Sequence, residues 1–357
     1  MTSLLKTSED QIRNRIDLFH LDQGMLLINI PQVPLDSLDP VTSRNKGYFA
    51  YPPQGLLYLA AQLRSLNLTA EILDLNYEIL KAMQTQDSVV DDFWKHLIDK
   101  RIETMKFPFI GISLMFEKTF DIFRKISQYI KNTYPDLGIA VGGVHASADK
   151  EKILHEGLAD FVFSHESEDS LRNLLLYAKG EQNVKISNIS ILGEGSQIIS
   201  TSMLAGVEGD YDITREFELI PISDYHRVGS VGILSRLNET DKPFATPLAK
   251  RGCRAQCTFC GVRYFNGKGV REREVDSIIK EMKFLRDTYQ IAHFDWLDDD
   301  LLYHREHIMR LLQKISEELP DITWAANNGL IVSSIDKEML DAFERSNCVG
   351  FKLGLES

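Results

Sequence analysis

The feature that most constrains this chain is a regular alternation of short apolar runs with amphipathic stretches between residues 25 and 179. Met25-Leu-Leu-Ile-Asn-Ile30 is a mostly apolar run closed by Pro31, and such a run, lacking a polar face, reads as a strand buried on both sides. Helical spacing follows over residues 55–65, then a strand over 70–75, helices over 77–83 and 89–104, and a strand over 109–115. An amphipathic helix over 120–133 leads to a strand over 139–141 that runs into Gly142-Gly143. A helix over 150–156, a strand over 160–164 and a helix over 167–179 complete the series. This rhythm predicts an α/β fold, a doubly wound parallel Rossmann-like sheet whose ligands bind beyond the carboxyl ends of the strands.

At both ends of that stretch the pattern changes. Residues 1–22 read as a polar leader with a short amphipathic stretch around Ile12, Ile16 and Phe19. Residues 181–240 break into short alternating segments, over 185–192 and 197–201, interrupted by Gly193, Gly195 and Pro221, and are expected to form a hairpin and a linker. A second helix and strand series starts near Pro247, with helices over 275–288, 305–319 and 337–345 and strands over 293–297, 323–326 and 349–355. The 357 residues therefore organise as two domains, 23–180 and 241–357. No internal repeat or low-complexity tract interrupts them.

Charge narrows the partners. Forty Lys+Arg against 52 Asp+Glu leave a net charge of −12, which disfavours a general role on nucleic acid or an anionic membrane. A small molecule or peptide is the expected substrate. Apolar runs such as residues 55–63 fall far short of the roughly 20 residues that span a bilayer, and the start lacks the basic and apolar regions of a signal peptide. A cytoplasmic protein is expected.

Of the four cysteines, Cys253, Cys257 and Cys260 fall within eight positions and Cys348 stands apart. That crowding suits a metal site better than a disulfide framework. Structural zinc normally takes four ligands, and no fourth is obvious: Cys348 is distant in sequence and His293 lies in an expected strand. An iron-sulfur cube held by three cysteines keeps one iron open for chemistry. Both readings, the open cluster and a zinc knuckle or redox-inert loop, fit the spacing.

Cys253-Arg-Ala-Gln-Cys257-Thr-Phe259-Cys260 resembles the CxxxCxxC signature of the radical S-adenosylmethionine (SAM) family, with an aromatic residue before the last cysteine. The likeness extends through Lys250-Arg-Gly-Cys253, Arg271-Glu-Arg273, Trp296-Leu-Asp298-Asp299 and Gly354-Leu-Glu356-Ser357, in the order of strand ends in that family's partial (β/α) barrel. The resemblance implies that Cys253, Cys257 and Cys260 ligate a [4Fe-4S] cluster and that SAM chelates the open iron. Phe259 would lie along the adenine, with Asp298 and Asp299 at the SAM ammonium or ribose and Glu356 in reach of SAM. Alternatives at these positions are a helix cap before Arg305 for residues 298–300 and a surface role for Glu356. Arg251, Arg271 and Arg273 either stabilise the cluster or a carboxylate, or are solvated charges.

The first domain is similar to the cobalamin-binding domain of the B12-dependent branch of that family. Ser113-Leu-Met115 resembles its Ser-x-Leu motif with Met115 in place of leucine, and Gly142-Gly143 follows after residues 116–141. Further likeness lies in Pro53-Gln-Gly55, in Gly143-Val-His145-Ala-Ser147 and in His165-Glu166-Ser167-Glu168. His145 is expected to be a loop or packing histidine rather than a cobalt ligand, since the resemblance implies a cofactor-binding role for it around the nucleotide tail of cobalamin, and Glu166 and Glu168 can equally be first-turn helix residues. The Asp-x-His-x-x-Gly loop of histidine-ligating members is missing, since residues 31–52 contain no histidine. The resemblance implies reductive SAM cleavage fed by an external electron donor of flavodoxin or ferredoxin type. In the cobalamin branch this leads to methylation of an unactivated carbon. The alternatives are a vestigial B12 domain attached to a cyclising or rearranging radical SAM enzyme, and a non-catalytic metal-binding scaffold. About six strands make such a barrel and four are expected here, so a fragment or a shortened barrel is expected.

Overall fold

The computed structural model describes residues 7–19, 21–86, 92–105, 107–204, 206–207, 210–234 and 242–354. The chain divides into two compact units, one of Met1–Leu38, Gly55–Ala82 and Gln86–Val207, the other of Asp39–Gln54, Met83–Thr85 and Glu208–Ser357.

The first unit is built on one sheet. Its strands are β1 (Gly24–Asn29), β2 (Thr69–Asp74), β3 (Phe109–Ser113), β4 (Gly138–Gly142), β5 (Phe161–Phe163), β6 (Ile189–Leu192) and β7 (Ile198–Ser200), in the order β2-β1-β3-β4-β5-β6-β7. β1 is buried along its whole length, as its lack of alternation requires. The helix Phe120–Thr133 turns Phe123, Ile126, Ser127 and Ile130 inward at helical spacing. Strand order reverses direction at β1, which lies between β2 and β3, so the topological switch point falls between β1 and β3. Register then aligns the ends: Asp74 pairs with Asn29, Asn29 with Ser113, and Ser113 with Gly142. Four adjacent strands thus finish on one row at the edge where such sheets bind ligands.

Three expectations change here. The hairpin expected as a separate piece is joined to the sheet: β6 pairs antiparallel with β5 and β7 with β6, so the sheet is mixed. Ile189, Ile191 and Ile199 bury their side chains against the unit, which makes this edge part of its core. The leader is also integral, because its helix Ser8–Ile16 carries a capping box at Thr7 and Asp10 and buries Ile12 and Ile16. Arg13 of that helix donates 3.0 Å to the Gln182 carbonyl and 2.5 Å to that of Val184. Finally, Asp39–Gln54 is carried by the second unit: Ser230 N donates to Tyr48 O at 3.1 Å and Ala50 N to Ser230 O at 3.0 Å. Helix bounds also shift, to Leu75–Ala82 and Phe93–Met105, the start expected at residue 89 lying outside the described residues.

The second unit holds β8 (Phe244–Ala245), β9 (Lys250–Cys253), β10 (Gly269–Glu272), β11 (His293–Asp295), β12 (Thr323–Ile331) and β13 (Cys348–Gly354). A parallel sheet runs β13-β12-β11-β8, with the helices Val275–Tyr289, Arg305–Glu318 and Lys337–Arg345 between successive strands. This is the expected partial (β/α) arrangement. β9 and β10 form a separate antiparallel hairpin that the apolar pattern did not announce, because its residues are polar. β12 runs on to Ile331, through register irregularities against β13 that its Asn327, Asn328 and Gly329 accompany.

His293 on β11 is fully buried, with Nδ1 2.9 Å from Thr323 Oγ1, and burial pushes its imidazole down to about 4. A depressed histidine means that the unfolded chain binds the proton first, so its contribution is complete above about pH 6.5 and is lost as pH falls toward 4. This loss amounts to about 3 kcal/mol. Denaturant melts of wild type and His293→Gln at a series of pH values should converge over that window; parallel curves would contradict the assignment.

Candidate functional site

Two groups of residues singled out by sequence are assembled by these sheets. In the second unit, β9 delivers Cys253 as its last residue. Gly252 just before it has φ +87°, and a Cβ there would sit 2.4 Å from the Gly269 carbonyl, so only glycine lets β10 pack this close. Beyond Cys253 the chain turns, with Cys260 N donating to Cys257 O at 3.1 Å, and Ala255 N points at Cys253 Sγ from 3.4 Å. Burial pushes the Cys253 thiol up. Phe259 is 79 % exposed, its ring standing off the protein between Cys257 and Cys260.

Among the described residues no three His, Cys, Asp or Glu side chains already converge as a metal-ligand group. The loop nonetheless suits an iron-sulfur centre by its donor set: three sulfurs within eight residues, and a backbone N–H aimed at one of them, the kind of hydrogen bond that tunes such clusters. Cys348 is held on β13 with its sulfur 3.7 Å from the Gly350 carbonyl, and burial pushes its thiol up to about 12.

The aspartates after β11 are engaged by the protein's own donors. Asp298 is buried, and its carboxylate accepts from Ala249 N at 3.1 Å and Lys250 N at 2.5 Å. Burial raises it to about 7 against the pull of those two amides. Asp299 accepts from Asn266 Nδ2 at 2.9 Å. Asp300, fully buried, pairs with Arg254 Nε at 2.9 Å. None of the three caps the helix that follows, whose N-cap is His304 at φ +56°. Glu356 lies outside the described residues.

Behind the loop is a charge strut that the sequence reading missed. Lys250 and Glu272 are directly opposed across the β9/β10 hairpin, and the buried Lys250 Nζ lies 3.0 Å from Glu272 Oε1 while also donating to the Tyr303 carbonyl. Burial holds the Lys250 ammonium below the ordinary lysine range, with Glu272 pulling the other way. His304 Nδ1 meets the second Glu272 oxygen at 2.8 Å. Opposite charges at matching hairpin positions would have been a sequence signal, had the hairpin been foreseen. Arg273 is a buried structural cation, 2.6 Å from Asp210 and 2.9 Å from Glu281, and Arg271 donates to the Asn266 carbonyl at 2.6 Å. These contacts tie both arginines to the protein's own frame.

In the first unit the Ser-x-x and Gly-Gly elements are brought into contact. Leu114 N donates to Gly142 O at 2.8 Å, and Gly143, at φ +114°, packs so close that a Cβ would lie 2.5 Å from Leu114 O. Ser113 is half-buried at the strand end, Leu114 is fully buried, and Met115 is 42 % exposed beside the exposed Phe116. His145 packs edge-on to Phe120, ring centroids 5.6 Å apart, with Nε2 3.8 Å from Asp149. Ser147 Oγ donates to Gly143 O and accepts from His165 N, each at 2.9 Å. Glu166 is buried and accepts from Val207 N at 2.8 Å, so it anchors the chain beyond β7. Gly143→Ala should cost about 1–3 kcal/mol, from the positive φ and the blocked approach to Leu114; unfolding of purified protein in urea measures it, and a neutral result would refute the close packing.

Residues 44–175 match the B12 binding domain family and residues 249–357 the radical SAM superfamily. A cytidylyl-2-hydroxyethylphosphonate methyltransferase of Streptomyces wedmorensis is 25 % identical over 344 residues, covering 85 % of this chain and 61 % of that protein. An uncharacterised methyltransferase of Pyrococcus horikoshii is 23 % identical over 308 residues, covering 86 % and 61 %. The chain thus spans about three fifths of the length of these relatives. Among solved structures, the radical SAM methyltransferase TsrM of Kitasatospora setae, with tryptophan substrate and a SAM analogue bound, superposes with a TM-score of 0.68 at 17 % identity, covering 93 % of this chain and 59 % of that one; this likeness is one of fold. Sequence motifs, sheet topology and both family matches agree: the chain carries a B12-binding domain followed by a radical SAM domain.

Proposed function

We propose that this protein is a cobalamin-dependent radical SAM methyltransferase that acts on an unactivated carbon of a small-molecule substrate. The observation that carries the proposal is the loop of Cys253, Cys257 and Cys260, launched from β9 and tied to the end of β11 by Asp298. Three sulfur donors on one short segment leave one corner of a cube without a protein ligand. Ser113, Gly142 and Gly143, at the carboxyl ends of the paired strands β3 and β4 beside the switch point of the first sheet, are proposed to receive cobalamin, with Gly143 allowing the turn after β4 to pack against Leu114. When bound, the cluster supplies an electron for reductive cleavage of SAM and cobalamin serves as methyl carrier.

The chain's own residues supply position and exclusion. Phe259 offers an exposed ring for stacking on a planar base. An external one-electron donor and a reducing, cytoplasmic setting are part of the proposal, since exposed Cys260 needs to stay a thiol to bind iron. Among the described residues no helix is long and apolar enough to cross a membrane.

The test is anaerobic reconstitution with iron and sulfide, followed by reduction with SAM, with and without hydroxocobalamin. Wild type should release 5'-deoxyadenosine and retain the corrinoid, and Cys257→Ala should fall to the no-protein background. Cleavage that persists in Cys257→Ala, or a protein that takes up zinc and no iron, would overturn the assignment. Cleavage without corrinoid uptake would overturn the cobalamin part alone and leave a radical SAM enzyme on a B12-type scaffold.

A further inference from the structure

Asp298, Asp299 and Asp300 are consecutive, follow β11, and each reaches a different part of the segment that carries the cysteines. Asp298 holds the strand before it, through Ala249 N and Lys250 N at 3.1 and 2.5 Å. Asp300 holds the residue just after Cys253, with Oδ2 3.3 Å from Arg254 N and 2.9 Å from Arg254 Nε, and Oδ1 3.1 Å from Nη2. Asp299 holds its far end, through Asn266 Nδ2 at 2.9 Å. The three anchor points, residues 249–250, 254 and 266, enclose Cys253, Cys257 and Cys260.

Carboxyl groups suit this task because each carboxyl oxygen can accept from more than one donor, as Asp298 Oδ1 does from two amides. Asparagine at 298 would turn its NH₂ toward Ala249 N, which lies 3.3 Å from Oδ2, or in the other flip toward both amides that Oδ1 accepts from. Arg254 Nη2 also donates to Ser334 Oγ at 2.5 Å, and the guanidinium lies 5.7 Å from the Tyr303 ring. Its planar fork therefore has one orientation, which transmits the Asp300 anchor directly to the residue after Cys253.

We infer that Asp298, Asp299 and Asp300 form a three-point clamp of positioning residues that sets the geometry of the cysteine loop, rather than a set of direct contacts to SAM. This deepens the function proposed above and rests on it. The clamp explains why the three carboxylates are spent on the protein's own donors, and why a sulfur loop of otherwise irregular backbone is attached to the sheet.

The experiment compares the reconstituted wild-type chain with Asp298→Asn, Asp299→Asn, Asp300→Asn and Arg254→Gln. It reads iron per chain, the electron paramagnetic resonance spectrum of the reduced cluster, and SAM binding. The clamp predicts a shifted or broadened cluster signal and at least a twofold loss of retained iron in Asp298→Asn and Asp300→Asn, with SAM binding falling in proportion to cluster content. Arg254→Gln should reproduce Asp300→Asn, and the double variant should be no worse than either single, since the two act as one unit. A wild-type signal and iron content with SAM affinity lost would show direct cofactor contact and overturn the clamp, as would variants indistinguishable from wild type. If Asp298→Asn does not fold, the Arg254 and Asp300 pair still decides. Wild type that assembles no iron-sulfur cluster would instead defeat the proposed function, so the two failures are distinguishable.

Discussion

Parallel pairing that sets strand end beside strand end is the constraint on which both units rest. In the first sheet it aligns Asp74, Asn29, Ser113 and Gly142 on one row, where Asn29 Nδ2 donates to Asp74 Oδ1 at 2.9 Å. In the second, parallel pairing of β8 with β11 brings the residues that follow each strand together, so that one carboxylate can reach two amides 48 and 49 positions away in sequence. Polar groups cluster at these ends because the strand interiors are apolar and leave no other place for them. Function at strand ends is therefore a consequence of how the sheets are closed, before any particular cofactor is considered.

The second unit keeps several ionisable side chains out of water close to the cysteine strand. Lys250, Asp298, Asp300, Arg273 and Glu281 are all buried. Buried ions are costly unless paired and hydrogen-bonded. Here Lys250 has Glu272 and Asp300 has Arg254, while Arg273 bridges Asp210 and Glu281. Apolar side chains could fill such space at less cost, so the return lies in direction: an ion pair fixes one orientation of a loop, whereas apolar packing tolerates several. That is the property a chain needs where short sulfur-bearing side chains have to meet one inorganic centre.

Much of the fold and part of the site were legible in one dimension. Periodicity located β1, β3 and β4 and the helix Phe120–Thr133, because burial on two faces or on one helical stripe writes itself into residue order. Spacing located the three cysteines and the Gly-Gly turn. The protein donors that meet Asp298 and Asp299 were not legible, because a carboxylate after a strand looks the same in sequence whichever backbone or side-chain groups fold around it. The β9/β10 hairpin escaped for a similar reason, since Lys250-Arg-Gly-Cys253 carries no apolar alternation and is held by pairing and by the Lys250–Glu272 contact.

What the sequence by itself determined is the class of sheet, the order of its elements and the identity of the sulfur and glycine motifs, all of which depend on residues near one another in the chain. Only the tertiary structure decided that Tyr48–Ala50 pairs with Ser230, that β6 and β7 extend the first sheet, and that three successive aspartates grip the cysteine segment. The physical reason is that hydrogen bonds and ion pairs act over about 3 Å in space, whatever the distance along the chain, and the partners of each polar group are chosen only when the backbone has folded around it.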